Sequence, residues 1–243
     1  FGEGNPPPDA LGSVYTPVYY GGWLTISRWF PNGWLLGTKL FVENWDITND
    51  GKGVYASGHF AGERGGLEAN IGLELGHEGR DLPENPRDGG YLTLVAQTSI
   101  PGTDFSRQEL TADVSHVRTI SDFTVVVRGR HEEGWGSIPF WRTPFLGNRK
   151  FLRGLPDKRL RGNAAQCIGT EMRWHSPYSW LQPAVFGELG RAGGHSEVWS
   201  ADVNWAAGGG VRFPLVGGKA VLRADYGWSE AGSGLYVDFG QAF

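Results

Sequence analysis

The sequence predicts an all-β fold, a closed transmembrane antiparallel β-barrel of about twelve strands. Apolar residues recur at every second position along most of the chain, which is the period of a strand whose two faces meet different surroundings. The alternating runs are ~10 residues long, enough to cross a bilayer at a tilt and longer than most strands of soluble sheets. Trp and Tyr recur near the ends of these runs, where membrane barrels carry aromatic girdles.

Composition narrows the classes of protein. The 243 residues include 39 Gly, 11 Trp, 8 Tyr and 13 Phe, but one Cys and one Met. No run approaches the ~18 apolar residues that a membrane-spanning helix needs. A single Cys excludes an internal disulfide framework and a Cys-based zinc site. The net charge of −4 argues against a nucleic-acid partner.

The alternating runs and the turn residues between them define the predicted strands. In residues 66–75, for example, Leu67, Ile71 and Leu73 share one face, while Glu68 and Glu74 lie on the other. The strands are predicted at residues 18–29, 33–45, 53–62, 66–77, 90–100, 107–118, 122–134, 161–174, 179–191, 201–213, 218–228 and 233–243. A soluble sandwich or propeller would show the same alternation, with its apolar faces lining a core. Strand length and the aromatic positions favour the barrel.

The N-terminal residues form no strand pattern. Residues 1–15 are expected to be a periplasmic lead-in and residues 16–243 the barrel, with both chain ends periplasmic. Pro6, Pro7 and Pro8 favour a stiff, extended segment. The opening FGEGNPPPDALG has neither a basic region nor an apolar core, so a signal peptide, if the protein is exported, lies outside this chain.

The last ten residues, GLYVDFGQAF (234–243), alternate strictly. Leu235, Val237, Phe239 and Phe243 fall on one face, and Gln241 is the interruption. The segment resembles the C-terminal signal of bacterial outer-membrane barrels, in which a final aromatic residue follows apolar residues at alternate positions. The resemblance implies a last strand whose apolar face meets lipid.

A second resemblance concerns residues 151–177, FLRGLPDKRLRGNAAQCIGTEMRWHSP. The stretch resembles the most characteristic motif of the Omp85 superfamily, also called the D15 surface antigen family. Its core is Leu152-Arg153-Gly154-Leu155, with Leu155 where the family usually has Phe or Tyr, and Glu171-Met172-Arg173 matches the following strand end. VFGELG (185–190) resembles the next strand of the family, with the acidic residue Glu188.

The Omp85 resemblance implies a specific internal contact. In the family, the motif loop folds back into the barrel and its Arg contacts inward acidic residues. Alternation independently places Glu171 and Glu188 on inward faces, and a guanidinium can bond two carboxylates at once. The predicted loop–lumen lock therefore consists of Arg153, Gly154, Glu171 and Glu188.

The same resemblance implies a function and a location. It implies a barrel in the bacterial outer membrane, in contact with outer-membrane lipid including lipopolysaccharide, that takes part in assembly, insertion or translocation of proteins. The chain has no room for POTRA domains, so a periplasmic or lipoprotein partner is expected to supply such modules. Gly21, Gly22, Gly234 and Gly240 offer few side chains to brace a seam between the first and last strands, which favours lateral opening there.

Two other functions fit the same barrel. One is a narrow channel or lipid-contacting conduit plugged by its own loop, and the other is a scaffold for a surface or periplasmic partner. Fold resemblance does not decide among the three.

The sequence predicts no enzyme, cofactor or metal site. DITNDG (46–51) begins like a calcium loop, but Ser57 stands where the loop needs Glu. Ser196 beside His195 is the nearest imitation of a hydrolase pair, and adjacent residues seldom face each other. Cys167 is expected to be a buried, inert thiol.

Overall fold

The computed structural model describes residues 15–49, 60–178 and 180–242. Eleven strands of the described residues form one antiparallel sheet, and two short strands form a separate ribbon. The strands are β1 (Tyr15–Trp29), β2 (Trp34–Asn49), β3 (Gly65–Glu78), β4 (Asp88–Ser99), β5 (Arg107–Ile120), β6 (Phe123–Gly136), β7 (Phe145–Leu146), β8 (Leu160–Arg161), β9 (Ala164–Trp174), β10 (Gln182–Gly193), β11 (Asn204–Leu215), β12 (Ala220–Ser229) and β13 (Gly232–Phe239). The large sheet is a meander in chain order, interrupted only by the β7–β8 ribbon. Among the described residues, no helix is long and apolar enough to cross a membrane.

The two faces of the sheet invert the usual pattern of a soluble protein. On β3, Ile71 and Leu73 are exposed on the outer face, whereas Glu68 and Asn70 are buried on the inner face. The same division holds on β10, where Val185 is exposed and Glu188 is buried. Apolar residues outside and charged residues inside are typical of a transmembrane barrel. The predicted fold class, an all-β antiparallel barrel fold with an inward loop, is confirmed.

The sheet curls so that distant loops meet at one end. The side-chain amide of Asn85, between β3 and β4, donates to the carbonyl of Gly218, between β11 and β12, at 3.0 Å. Gln241, beyond β13, donates to Asn85 at 3.0 Å. These contacts join segments that lie far apart in the order of the sheet. The charged inner faces therefore enclose a lumen.

The strand count differs from the prediction at one place. β2 pairs directly with β3, from Trp34↔His77 to Asp46↔Gly65, so no strand lies between them. Of the predicted strand 53–62, residues 53–59 lie outside the described residues, and the turn before β3 begins at 60–62. The predicted strand therefore does not extend over residues 60–62.

The two edge strands, β1 and β13, do not pair with each other in the described residues. β1 and β13 are the first and the last of eleven antiparallel strands. They therefore run in the same direction, and a ladder between them would have to be parallel. Every residue of β1 is exposed, as expected of a strand with one neighbour. The predicted closure is thus absent among these strands. Tyr15 and Phe239 lie at opposite ends of the sheet; the chain ends themselves, predicted to be periplasmic, lie outside the described residues.

The last strand is shorter than predicted. β13 ends at Phe239, and Gly240 follows with a φ of 79°, a left-handed conformation that turns the chain. Gln241 and Ala242 are then buried in the lumen rather than continuing the strand. The predicted strand over 233–243 is therefore wrong at residues 240–242, and Phe243 lies outside the described residues. Gln241 interrupts the apolar alternation because it points inward.

Candidate functional site

The loop between β6 and β9, residues 137–163, carries the Arg-Gly motif and folds into the lumen. Its tip is buried: Leu152 and Arg153 are at most 1% exposed. Four loop leucines pack in one apolar cluster with small residues of the barrel wall; the cluster consists of Leu146, Leu152, Leu155, Leu160, Ala165, Cys167 and Ala206. Burial of each leucine side chain stabilises the inward conformation by about 1.5–3 kcal/mol. Cys167, as predicted from its alternation, is buried and not in a disulfide.

Gly154 allows the loop to approach the barrel wall. Its φ is +114°, and a Cβ on this residue would lie 2.7 Å from the backbone nitrogen of Trp228 on β12. Its own N–H donates to the hydroxyl of Tyr236 on β13 at 3.0 Å. No other residue type combines this backbone conformation with this contact. The close packing of the loop against β12 therefore explains why the motif has glycine at position 154.

The guanidinium of Arg153 bonds three carboxylates. Its Nη1 lies 3.0 Å from Glu171 Oε2 and 2.8 Å from Asp225 Oδ2. Its Nε and its backbone N–H both donate to Glu188, at 3.1 Å and 2.7 Å. The guanidinium also lies over the ring of Phe186, 3.4 Å from the centroid. The structure thus brings together the four residues of the predicted lock, on three separate elements of the fold.

Asp225, on β12, was not among the predicted lock residues. Besides Arg153, it accepts a hydrogen bond from Arg223 at 2.8 Å and another from Arg212. The carboxylate is completely buried. Three guanidinium groups therefore share one carboxylate, and Asp225 holds β11, β12 and the loop together.

The remaining charges extend this cluster around the lumen. Glu171 also faces Arg173 at 3.0 Å and Arg212 at 2.9 Å, and Glu188 also bonds Arg128. Five arginines thus surround three carboxylates, and carbonyl oxygens accept from the excess donors. These contacts are Arg128 with Ala242 (2.8 Å), Arg173 with Pro86 (3.1 Å), Arg223 with Arg149 (3.0 Å), and the side-chain oxygen of Gln241 with Arg212 (3.1 Å).

This cluster can hold a loop, and it offers little else chemically. The space bounded by Val126, Arg128, Arg153 and Glu171 has no room for a water molecule. No group of three His, Cys, Asp or Glu side chains within the described ranges is arranged to hold a metal ion. The ring of His195 bonds Glu133 on β6, with 2.9 Å between Nδ1 and Oε1. In the described part of the chain, this ring nitrogen thus bonds the carboxylate and not the neighbouring Ser196.

The other predicted residues lie at the last strand and at the two edges. Leu235, Val237 and Phe239 are exposed on the outer face of β13, at 71%, 62% and 75%, whereas Phe243 lies outside the described residues. Gly21 and Gly22 lie on β1, and Gly234 and Gly240 lie in and just after β13. A Cβ on Gly22 would meet nothing within 4 Å. The four glycines thus lie at the unpaired edges, but they do not contact one another across a seam.

Comparison with known proteins gives fold similarity without sequence similarity. No family model matches the chain, and no curated protein matches it at a significant level. BamA from Haemophilus ducreyi, in a form lacking POTRA domains 1–3, has a TM-score of 0.74 at 13% identity, over 93% of this chain and 53% of that one. The chain has an Omp85-type barrel fold.

A second Omp85-type structure agrees. CdiB from Acinetobacter baumannii has a TM-score of 0.63 at 13% identity, over 93% of this chain and 42% of that one. The chain therefore spans about half the length of these two structures. The Omp85 resemblance predicted from residues 151–177 is confirmed at the level of the fold.

Proposed function

We propose that this chain is a barrel of the bacterial outer membrane that handles other proteins, in their assembly, insertion or translocation, together with a partner. The observation that carries the proposal is that, among the described residues, the two edge strands β1 and β13 do not pair with each other in an otherwise regular meander. The Omp85-type fold, shared with BamA and CdiB, supports it.

The exposed outer face supports a membrane location. Many large apolar and aromatic side chains are exposed on it; those of the C-terminal half include Ile168, Met172, Trp174, Val185, Leu189, Tyr226, Trp228, Leu235, Val237 and Phe239. A contiguous apolar surface of this kind needs lipid or a partner in place of water. In the outer membrane, that surface contacts acyl chains, and its rims contact lipopolysaccharide.

The two edges have the geometry to accept a polypeptide. An unpaired strand presents a row of free backbone N–H and C=O groups that can pair with another chain. Since β1 and β13 run in the same direction, one added strand of opposite direction pairs with both in antiparallel ladders. Apolar residues lie on both faces of β1, such as Leu24 outside and Trp23 inside. A segment of an unfolded barrel protein has the alternation that such an edge can pair with.

The packed lumen argues against the channel function. Loop residues and five arginines fill its centre, where the side chains of Arg153, Arg212 and Glu171 are at most 2% exposed. An ion would have to displace a buried charge network to pass.

Protein handling in this fold also needs recruitment of substrates. A periplasmic or lipoprotein partner bearing POTRA-like modules would supply it.

Site-specific photocrosslinking in Gram-negative cells tests the proposal. A photoreactive residue replaces Leu24 on the edge strand β1, and in the matched control it replaces Leu73 on the interior strand β3; the native side chains are 54% and 61% exposed. Crosslinks to newly synthesised barrel proteins are expected from position 24 and not from position 73.

The alternatives predict different results. If both positions crosslink only to lipid, and the purified chain conducts ions in planar bilayers, the channel function replaces the proposed one. If position 24 captures one stable folded protein and no newly synthesised chains, the scaffold function replaces it.

A further inference from the structure

The loop between β6 and β9 has a second anchor, on the opposite half of the sheet from Arg153. A 3₁₀ turn, Phe140–Arg142, begins the inward part of the loop. Arg142 Nε donates to Glu68 Oε2 on β3 at 3.1 Å, and its Nη2 donates to Glu43 Oε2 on β2 at 3.1 Å. The guanidinium also lies over the ring of Phe41, 4.4 Å from the centroid. Arg142 therefore binds the N-terminal strands as Arg153 binds the C-terminal ones.

The acceptor of this anchor is part of a built site. Glu68 is completely buried, and its Oε1 also accepts from Asn70 at 2.9 Å and lies 3.1 Å from Arg107 Nη2. A buried carboxylate held by two guanidiniums and an amide has a fixed position. Glu43 is partly exposed and accepts a second hydrogen bond, from the indole N–H of Trp45 at 2.8 Å.

Aromatic residues carry the anchor on to the edge strand β1. Phe140 packs edge-to-face against Tyr15 of β1, with 5.1 Å between the centroids. Trp141 stacks on Trp45 at 4.8 Å, and Trp45 stacks on Tyr19 of β1 at 4.3 Å. Such ring pairs contribute about 0.5–1.5 kcal/mol each beyond the area they bury. The 3₁₀ turn thus contacts β1 directly and through one intermediate ring.

The other end of the inward segment contacts the edge strand β13. The N–H of Gly154 donates to the Tyr236 hydroxyl at 3.0 Å, and Arg149 Nη1 lies 3.5 Å from Asp238 Oδ2. Residues 140–154, which we call the strap, therefore reach from one edge strand of the sheet to the other. Among the described residues, no backbone ladder joins β1 to β13, whereas the strap contacts both.

We infer that the strap sets the width of the gap between β1 and β13, with Arg142 as the positioning residue on the β1 side. Arg153 fixes one end of the strap in the C-terminal half. Arg142 transmits that fixed position to β2 and β3 and, through the aromatic stack, to β1. Loss of the Arg142 contacts frees the N-terminal strands to swing outward while the Arg153 cluster stays intact. The strap sets this width whether or not a polypeptide enters the gap between β1 and β13.

Pulsed electron paramagnetic resonance on the whole chain tests the inference. Spin labels replace Val18 on β1 and Ser233 on β13, both exposed on the outer face, in a Cys167→Ala background that removes the native thiol. In lipid nanodiscs, Arg142→Ala is expected to give a longer and broader distance distribution than the wild type. Arg118→Ala is the matched control, because it removes an exposed ion pair with Asp88, and it should leave the distribution unchanged.

A milder variant keeps the test decisive if Arg142→Ala fails to fold. Glu43→Gln removes one of the two carboxylates and leaves Glu68 in place, so a smaller shift in the same direction is expected. An unchanged distribution in folded Arg142→Ala, or in Glu43→Gln where the first variant does not fold, overturns the inference. Contacts other than those of Arg142 would then set the width of the gap between β1 and β13.

Discussion

Arg153 and Asp225, 72 residues apart in the chain, form a buried ion pair with 2.8 Å between Nη1 and Oδ2. This contact joins the motif loop to β12, the strand next to the edge strand β13. With Glu171 and Glu188 on β9 and β10, Asp225 makes the loop a cross-brace for the C-terminal half of the sheet. The brace is ionic on one side and apolar on the other, where the loop leucines pack.

Arg153→Ala should release the loop. The substitution removes the guanidinium that Glu171, Glu188 and Asp225 share. Each carboxylate keeps another arginine partner, so the expected loss is that of charged hydrogen bonds, about 1.5–3 kcal/mol. Limited proteolysis of the folded barrel should then cleave within the buried tip, residues 152–155, more readily than in the wild type. Arg118→Ala serves as the control. Equal protease protection in Arg153→Ala and the wild type would show that the apolar contacts alone hold the loop.

Asp225→Asn should destabilise the barrel although the shape of the side chain is kept. The amide cannot neutralise the guanidiniums of Arg153, Arg212 and Arg223, so a loss of about 3 kcal/mol or more is expected. The measurement is the temperature at which the fast-migrating folded band disappears from a semi-native gel. Asp238→Asn, a partly exposed carboxylate on β13, should change that temperature little. Similar shifts for the two variants would contradict the assigned role of Asp225.

Gly154→Ala should expel the loop tip for a steric reason. The backbone φ of +114° and the approach of a Cβ to 2.7 Å from the Trp228 nitrogen cannot both be relieved without movement of the backbone. Hydrogen–deuterium exchange should therefore rise across residues 150–156. Gly217→Ala is a matched control, since Gly217 also has a positive φ but has open space around its Cβ position, and strain alone costs about 1–2 kcal/mol. Comparable exchange in the two variants would refute the close-approach argument.

The sequence was most informative where alternation and a motif coincide. Glu171 and Glu188 were assigned inward from the two-residue period, and Arg153 from its motif. Asp225 lies on the same inward face as Arg223, so the period alone could have added it; nothing in the pattern indicated that the loop reaches β12. Arg142 could not be found, because a 3₁₀ turn in a long loop has no period and its partners lie on distant strands.

One error in strand assignment has a clear physical origin. Alternation over residues 240–242 satisfies the period of a strand, but local alternation does not show what the backbone pairs with. The inward contacts of Gln241 with Arg212 and Asn85 compete with strand pairing after Gly240. Tertiary partners decided the conformation there.

Gly240→Ala should disturb the buried C-terminal residues. A Cβ at a φ of +79° is strained and would lie 3.0 Å from Glu84 Oε2, so the turn that directs Gln241 inward becomes less favourable. Amide exchange at Gln241 and Ala242 should increase, and Asn85 should lose its bond with Gln241. Gly217→Ala is again the control. Unchanged exchange at these two amides would show that the contacts of Gln241 outweigh the turn.

Acidification should loosen the turn after β9 through His175. Burial, together with the nearby Arg87 and Arg173, lowers the pKa of His175 below its ordinary value of 6.5. Its Nε2 lies 2.6 Å from the Thr124 hydroxyl, and its Nδ1 lies 3.4 Å from Gln182 Nε2. The amide of Gln182 donates to Nδ1, so the neutral ring fits this site, whereas a proton on Nδ1 would face another donor.

The sign of the pH dependence follows from the lowered pKa. The unfolded chain takes up the proton first, so the contribution of His175 to stability is complete above about pH 6.5 and is lost as the pH falls towards the folded pKa. Hydrogen–deuterium exchange at residues 175–178, corrected for its intrinsic pH dependence, should show less protection at pH 5.5 than at pH 7.5. His175→Asn should abolish that difference, whereas His116→Asn, at an exposed position on β5, should retain it. A difference that persists in His175→Asn would assign the acid sensitivity to another group.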